Sequence, residues 1–341
     1  MGAVEDNVLE IEDLHVYFYT EEGEVRAVDG VSFSIPRGSI VGLVGESGCG
    51  KSVTSYSVLR LIQQPGEIKS GSIRFNPQEG GSIEILDLEK DSDALYNLRG
   101  GAISMIFQEP MTALSPVHTI GDQIGEAIML HGDKSPEEAE EIAAEMLDKV
   151  GIPNPRGRLG QYPFEMSGGM RQRVVIAMAL ACAPEVLIAD EPTTALDVTI
   201  QAQIIRLIKS LQRDLGTSTL LITHDLGVVA QLVDHIVVMY LGRLVEEGDV
   251  RTVMKDPRHP YTMGLLESLP SLALGKERLL SIEGSVPSLT EQPPGCPFHP
   301  RCPYAEPGLC DRGDPPELRS IDKGRLAACL RLEEIHGGHA E

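Results

Sequence analysis

The spacing of apolar residues changes several times along the chain, and each change marks an element. Residues 8–35 read as β-rich, with apolar stretches at Leu14–Tyr19 and Val25–Ile35 and turn signals at Gly23 and Gly30. Ile40–Val44 is a short apolar run that stops at a glycine-rich loop, and a helix is predicted from Lys51 to about Ile62. Ile73–Phe75 and Ile83–Leu86 read as short strands. Residues 109–180 change to a helical period. There Ser135 and Pro136 mark a helix start, and Ala139, Ile142, Ala143, Met146, Leu147 and Val150 recur at spacings of three and four before Gly151. Val186–Ala189 is a buried-strand pattern ending at Asp190 and Glu191. Asp197 is placed to cap a helix with the apolar face Ile204, Leu207, Ile208, Leu211 and Leu215, which Gly216 stops. Leu220–Thr223 and Val233–Tyr240 read as further strands, with a turn at Gly242. Strands alternating with helices predict a mostly parallel α/β core.

Composition narrows the class. The 341 residues suggest about two domains, and 42% hydrophobic with 23% charged residues is the balance of an ordinary globular chain. The net charge of −22 argues against nucleic acid as a partner, since such a partner calls for a basic face. No apolar run approaches the roughly 20 residues that span a bilayer. The acidic start, Met1 to Glu12, lacks the basic and apolar regions of a secretory signal, so a cytoplasmic place is expected.

One segment carries explicit chemistry. Gly45-Glu46-Ser47-Gly48-Cys49-Gly50-Lys51-Ser52 fits G-x-x-x-x-G-K-[ST] between a predicted strand and a predicted helix. Glycines let backbone N–H groups turn inward around phosphate oxygens, and a helix start favours anions. Lys51 can reach the β- and γ-phosphates, and the Ser52 hydroxyl can ligate Mg²⁺. Cys49 occupies a variable position and reads as a small filler, with a redox switch as the lesser alternative.

The second half of the chain adds a set of ordered motifs. Ser167-Gly168-Gly169 precedes Met170-Arg171-Gln172-Arg173. The Val186–Ala189 run enters Asp190-Glu191-Pro192-Thr193-Thr194-Ala195-Leu196-Asp197, and His224-Asp225 ends a later strand. In this order the motifs resemble the ATP-binding subunit of an ABC transporter. That resemblance implies a P-loop NTPase core with an antiparallel β subdomain and a helical subdomain at about 109–180. It implies that Asp190 helps hold Mg²⁺, that Glu191 is the catalytic carboxylate polarising water, and that His224 contacts the γ-phosphate. It further implies that Gln108 is the Q-loop residue near Mg²⁺. Ser167, Gly168 and Gly169 would form a signature acting on the ATP of a second subunit, and Asp197 would lie at the dimer interface. Phe18 stands where the family stacks an aromatic on adenine, with Tyr19 as the alternative. Met166 and Met170 flank the signature where Leu and Gln are usual.

Glu109-Pro110-Met111-Thr112-Ala113-Leu114-Ser115-Pro116 and His259-Pro260-Tyr261-Thr262 resemble the dipeptide/oligopeptide importer subfamily, which also includes nickel-type importers. The resemblance implies ATP with Mg²⁺, a second related ATPase as partner, two membrane permeases and an extracytoplasmic substrate-binding protein. It places the chain at the cytoplasmic face of the membrane. The competing readings are a nickel or other solute importer, a soluble ABC ATPase of DNA repair or translation, and a non-catalytic cassette. The domains are expected at 1–255 and 256–341. The second contains Cys296, Cys302, Cys310 and Cys329, separated by five, seven and eighteen residues. Four thiols suit a [4Fe–4S] cluster, with Zn²⁺ as the alternative and unligated thiols as a third reading. Some relatives in the resembling subfamily carry such a cluster in this tail. His299 reads as a surface residue.

Overall fold

The computed structural model describes residues 6–108, 112–193, 197–269, 282–322 and 324–336. It divides into two compact units: Met1–Leu9, Ser34–Ile40 and Arg74–Ile222 in one, and Glu10–Phe33, Val41–Ile73 and Thr223–Glu341 in the other.

In the first unit three strands run parallel. Ile103–Ile106 pairs with Val186–Asp190, from Ile103 opposite Val186 to Ile106 opposite Ala189. Val186–Asp190 pairs in turn with Ser218–Thr223, from Val186 opposite Ser218 to Asp190 opposite Ile222. Val186–Asp190 and Ser218–Thr223 are buried at every residue, which is why Val186–Ala189 reads as a continuous apolar run rather than an alternating one; the second strand begins two polar residues before the expected Leu220.

The helical segment holds Ile120–His131, Pro136–Lys149, Pro155–Leu159 and Gly168–Leu180. Ser135 caps its helix as expected. Its hydroxyl accepts the Glu138 N–H at 3.2 Å, while the Glu138 carboxylate accepts the Ser135 N–H at 2.8 Å. A cap of this kind is worth about 1 kcal/mol. Ala139, Ala143, Met146, Leu147 and Val150 are buried, and Ile142 is only half-buried at the edge of that face. The helix Val198–Leu215 begins at Asp197, whose carboxylate accepts the N–H groups of Thr199 and Ile200 at 3.1 and 3.0 Å, and it stops at left-handed Gly216.

Asn7–Thr20, Gly23–Pro36 and Gly66–Phe75 are long strands, and the end of the last pairs antiparallel with short Ile83–Glu84, Arg74 opposite Glu84 and Phe75 opposite Ile83. Gly30 is no turn: it lies inside Gly23–Pro36 at φ 78°. The strand predicted to reach Leu86 stops at Glu84, whose carboxylate accepts the Leu86 N–H and folds Ile85–Asp87 into a 3₁₀ turn.

In the second unit Ile40–Val44 pairs parallel with His235–Tyr240, from Val41 opposite His235 onward. Arg243–Asp249 returns antiparallel, then Arg325–Ala327 and Arg319–Asp322 extend the sheet from the C-terminal region. The helix after the glycine loop, Lys51–Val58, ends four residues earlier than predicted. Arg60 takes a left-handed φ of 53°, and the Leu61 N–H returns to the Tyr56 carbonyl, a closure that needs neither glycine nor proline to announce it.

The C-terminal region is tied in by a buried ion pair. Glu246, fully buried, accepts from Arg325 at 2.9 Å and from the N–H groups of Arg258 and His259 at 2.8 and 2.9 Å. His259 caps Pro260–Glu267 by accepting the Tyr261 N–H, and burial pushes its pKa down to about 3. It is therefore a neutral imidazole.

Candidate nucleotide site

The phosphate loop belongs to the second unit. Gly45, Gly48 and Gly50 take φ values of 155°, 80° and 105°. A Cβ on Gly45 would lie 2.2 Å from the Met239 carbonyl oxygen, and one on Gly50 would lie 2.1 Å from that of Ala27. Only glycine fits at either position. Gly50 is the N-cap of Lys51–Val58, where no side chain caps the first helical N–H groups. Those donors and the helix dipole suit an anion, so the loop fits the phosphates of a nucleotide. Lys51 is buried, with Nζ donating to the carbonyls of Gly45 and Glu46 at 2.8 and 2.9 Å. Ser47 and Gly48 are exposed and Ser52 is half-buried. Cys49 is buried, and burial raises its thiol pKa although Lys51 pulls the other way, which fits a filler and not a reactive thiol.

Glu46 has partners that its position in the motif does not foretell. Its N–H donates to the Tyr261 hydroxyl at 2.8 Å, and its carboxylate takes both arms of Arg301 at 2.7 and 3.1 Å. The His259-Pro260-Tyr261 motif pointed to Tyr261, and the cysteines on either side of Arg301 pointed to its segment, but neither foretold the contact with Glu46.

Also in the second unit, Phe18 is half-buried, its ring 2.6 Å from where a Cβ on Gly66 would stand. Tyr19 is more open, at 43% exposure, with the Lys69 ammonium 5.5 Å from its ring centre. His224 is exposed just past the strand Ser218–Thr223. Asp225 is occupied as a cap, accepting from Gly227 and Val228 at 2.8 and 3.3 Å.

The carboxylates belong to the first unit. Asp190 ends its strand fully buried. Glu191 follows at φ 46°, a left-handed conformation costly for a residue with a side chain, and its N–H is held by the Ile222 carbonyl at 2.8 Å. The buried Gln172 amide donates to the Pro192 carbonyl at 2.7 Å and so ties down the turn just after Glu191. Gln172 lies in the motif after Ser167, but its role in this turn was not foreseen. Gln108 is exposed two residues past Ile103–Ile106, while Glu109, Pro110 and Met111 lie outside the described residues. Ser167 is the N-cap of Gly168–Leu180 and accepts the Met170 N–H at 3.3 Å; Gly168 and Gly169 form the first turn. Asp197 is exposed, and Thr194, Ala195 and Leu196 lie outside the described residues.

The four C-terminal cysteines line one cavity, together with His259, Phe298 and Tyr304. Burial pushes the Cys296 thiol up to about 12 and Cys302 up to about 11, and raises Cys329. Backbone N–H groups of Glu306 and Arg331 point at the sulfurs of Cys310 and Cys329, each at 3.4 Å. His299 is half-buried, its Nδ1 3.0 Å from the Cys296 carbonyl. Among the described residues no three His, Cys, Asp or Glu side chains are grouped as a metal site.

The ABC transporter family matches residues 28–194, and the C-terminal region of oligopeptide/dipeptide transporters matches residues 245–310. A putative peptide import ATP-binding protein of Brucella melitensis is 50% identical over 335 residues, covering 96% of this chain and 98% of that protein. The chain is an ABC transporter ATP-binding subunit of the oligopeptide/dipeptide branch. The dipeptide transport ATP-binding protein of Escherichia coli is 47% identical over 94% of this ABC subunit and 96% of its own length. An ATP-binding cassette solved as a dimer in a post-hydrolysis state with ADP and Pi aligns at a TM-score of 0.62 and 27% identity, covering 71% of this chain and 99% of that one.

As an ABC ATPase, the chain keeps the Ser-Gly-Gly core despite the two departures beside it. Met166 is buried, so it acts as the apolar residue there that Leu usually supplies. Met170 contributes its backbone N–H to the Ser167 cap, which any side chain permits. Among the described residues, no helix is long and apolar enough to cross a membrane.

Proposed function

We propose that this chain hydrolyses ATP to energise the import of di- or oligopeptides, working at the membrane through permease subunits. The observation that carries this reading is a cassette joined to an oligopeptide/dipeptide C-terminal region, in a chain matched almost end to end by relatives named for peptide import.

Lys51 and the N–H groups of the phosphate loop bind the nucleotide phosphates. Ser52, Gln108 and Asp190 would hold Mg²⁺, which would supply neutralisation of the phosphate charge. Glu191 orients and polarises the attacking water, and His224 contacts the γ-phosphate. Tyr19 or Phe18 stacks on the adenine, Tyr19 having the more open ring. Ser167, Gly168 and Gly169 present a capped helix start to the ATP of a second, related ATPase, with Asp197 at that interface. An extracytoplasmic binding protein delivers the peptide.

The test is purification of the tagged chain from gently solubilised native membranes, followed by reconstitution of what accompanies it. Two multi-spanning permeases and a related ATPase are expected, with ATP-dependent uptake of labelled dipeptide into the vesicles. Recovery of soluble partners alone would overturn the transport reading.

The cysteine cavity is proposed to hold a [4Fe–4S] cluster. The donor set is the support: four thiols line one cavity, though not gathered there as a preformed metal site, and would become ligands once a cation deprotonates them. The two N–H groups aimed at sulfur are the donors that such thiolates use. Anaerobic purification is expected to give iron and acid-labile sulfide in equal amounts with a visible charge-transfer band. Zinc without sulfide, or no metal at all, would reject the cluster.

A further inference from the structure

We propose that Arg301 and Tyr261 are positioning residues for the phosphate loop, with Arg301 cancelling the charge of Glu46 beside the bound nucleotide. The inference rests on the reading of Gly45–Ser52 as the ATP phosphate site.

Glu46 is the second residue of that loop and is engaged at three points. Its N–H is taken by the Tyr261 hydroxyl, its carbonyl accepts from Lys51, and its carboxylate is clasped by Arg301. Lys51, the residue assigned to the β- and γ-phosphates, therefore shares an atom group with a residue that the C-terminal region holds in place.

Both holding residues are braced, Tyr261 fully buried and Arg301 half-buried with its side chain tucked in. The Arg301 side chain is 4% exposed, and its Nε donates to the Glu283 carbonyl at 3.2 Å. Its guanidinium lies 6.0 Å from the Tyr240 ring centre. Tyr261 is fully buried, and burial raises its pKa, so its hydroxyl stays protonated and neutral. Phe298 packs against both tyrosine rings, at 5.3 Å from Tyr240 and 5.4 Å from Tyr261. Tyr240, Tyr261 and Phe298 thus pack as one aromatic cluster behind the Tyr261 hydroxyl that meets Glu46.

Charge gives the device its function. A carboxylate at the second loop position adds negative charge where a polyphosphate is bound, and repulsion of that kind weakens binding. A bidentate guanidinium cancels the charge and also fixes the carboxylate's direction, which a lysine ammonium does less well. The pair is only partly buried, with 27% of the Glu46 side chain exposed, and a pair of that kind adds little to fold stability, which leaves positioning and charge control as the gain here.

The experiment is equilibrium titration of the full chain with ATP and Mg²⁺, with a melting curve for each variant. Arg301→Met is expected to weaken ATP binding about tenfold, and Arg301→Lys by a smaller factor. In a Glu46→Gln background the same Arg301→Met change is expected to cost almost nothing, because the charge it unmasks is gone. That non-additivity is the readout that a general loss of packing would not give. Unchanged affinity in Arg301→Met, or the same loss with and without Glu46, overturns the proposal. Either result leaves ATP binding by the wild-type chain intact, whereas a wild-type chain that binds no ATP removes the underlying reading as well. If Arg301→Met does not fold, Arg301→Lys is compared with and without Glu46→Gln by the same criterion.

Discussion

Replacing Glu191 by Gln is expected to lower the ATP turnover rate about 10²- to 10⁴-fold while leaving ATP binding in place. The amide keeps the shape of the side chain and removes the negative charge that draws a proton from water. The loss corresponds to about 3–5 kcal/mol of barrier. The backbone explains why a neighbouring carboxylate cannot substitute. Glu191 is held left-handed by its N–H bond to Ile222, and the turn behind it is fixed by Gln172 on Pro192. Asp190 is one residue away but ends the strand fully buried. Steady-state hydrolysis and equilibrium nucleotide binding, measured on the same preparation, separate the two effects. Full turnover by the Gln variant would remove Glu191 from its assigned role.

Replacing Lys51 by Ala is expected to weaken ATP binding about 100-fold, near 3 kcal/mol, since charge-assisted hydrogen bonds to phosphate are lost. A second consequence follows from the contacts in the free loop. The ammonium satisfies the carbonyls of Gly45 and Glu46, so the Ala variant also leaves the loop less ordered. The two losses differ in their readout. A shorter loop lifetime lowers the melting temperature without nucleotide, whereas the lost phosphate contact shrinks the rise in melting temperature that ATP produces. Unchanged ATP affinity would contradict the assignment of Lys51.

The sequence made the chemistry legible wherever chemistry dictates spacing. The glycines around Lys51 are required by backbone geometry, as the clashes of a Cβ at Gly45 and Gly50 demonstrate. Val186–Asp190 was visible because it is buried on both faces, and the Ser135 and Asp197 caps because polar side chains satisfy helix N–H groups locally. What stayed hidden depends on distant partners. The strand Arg243–Asp249 was not predicted: it carries two glutamates, and Glu246 is buried because Arg325 meets it while Glu247 is engaged by His235 at 2.9 Å. Ile103–Ile106 is four residues with a serine inside, too short to show a period. The early end of Lys51–Val58 depends on the left-handed backbone of Arg60, for which the residue type is no guide. The clasp of Arg301 on Glu46 joins residues far apart in the chain, and no local pattern encodes it.

The strand Arg325–Ala327 covers the outer side of Arg243–Asp249. A cassette shortened to end at residue 255 would carry that side as a bare row of backbone donors and acceptors, with the Glu246 carboxylate stripped of its guanidinium. Such an edge recruits the same edge of another copy. Trimming the chain there is expected to let two copies pair edge to edge, which size-exclusion chromatography of the shortened chain would show as a dimer.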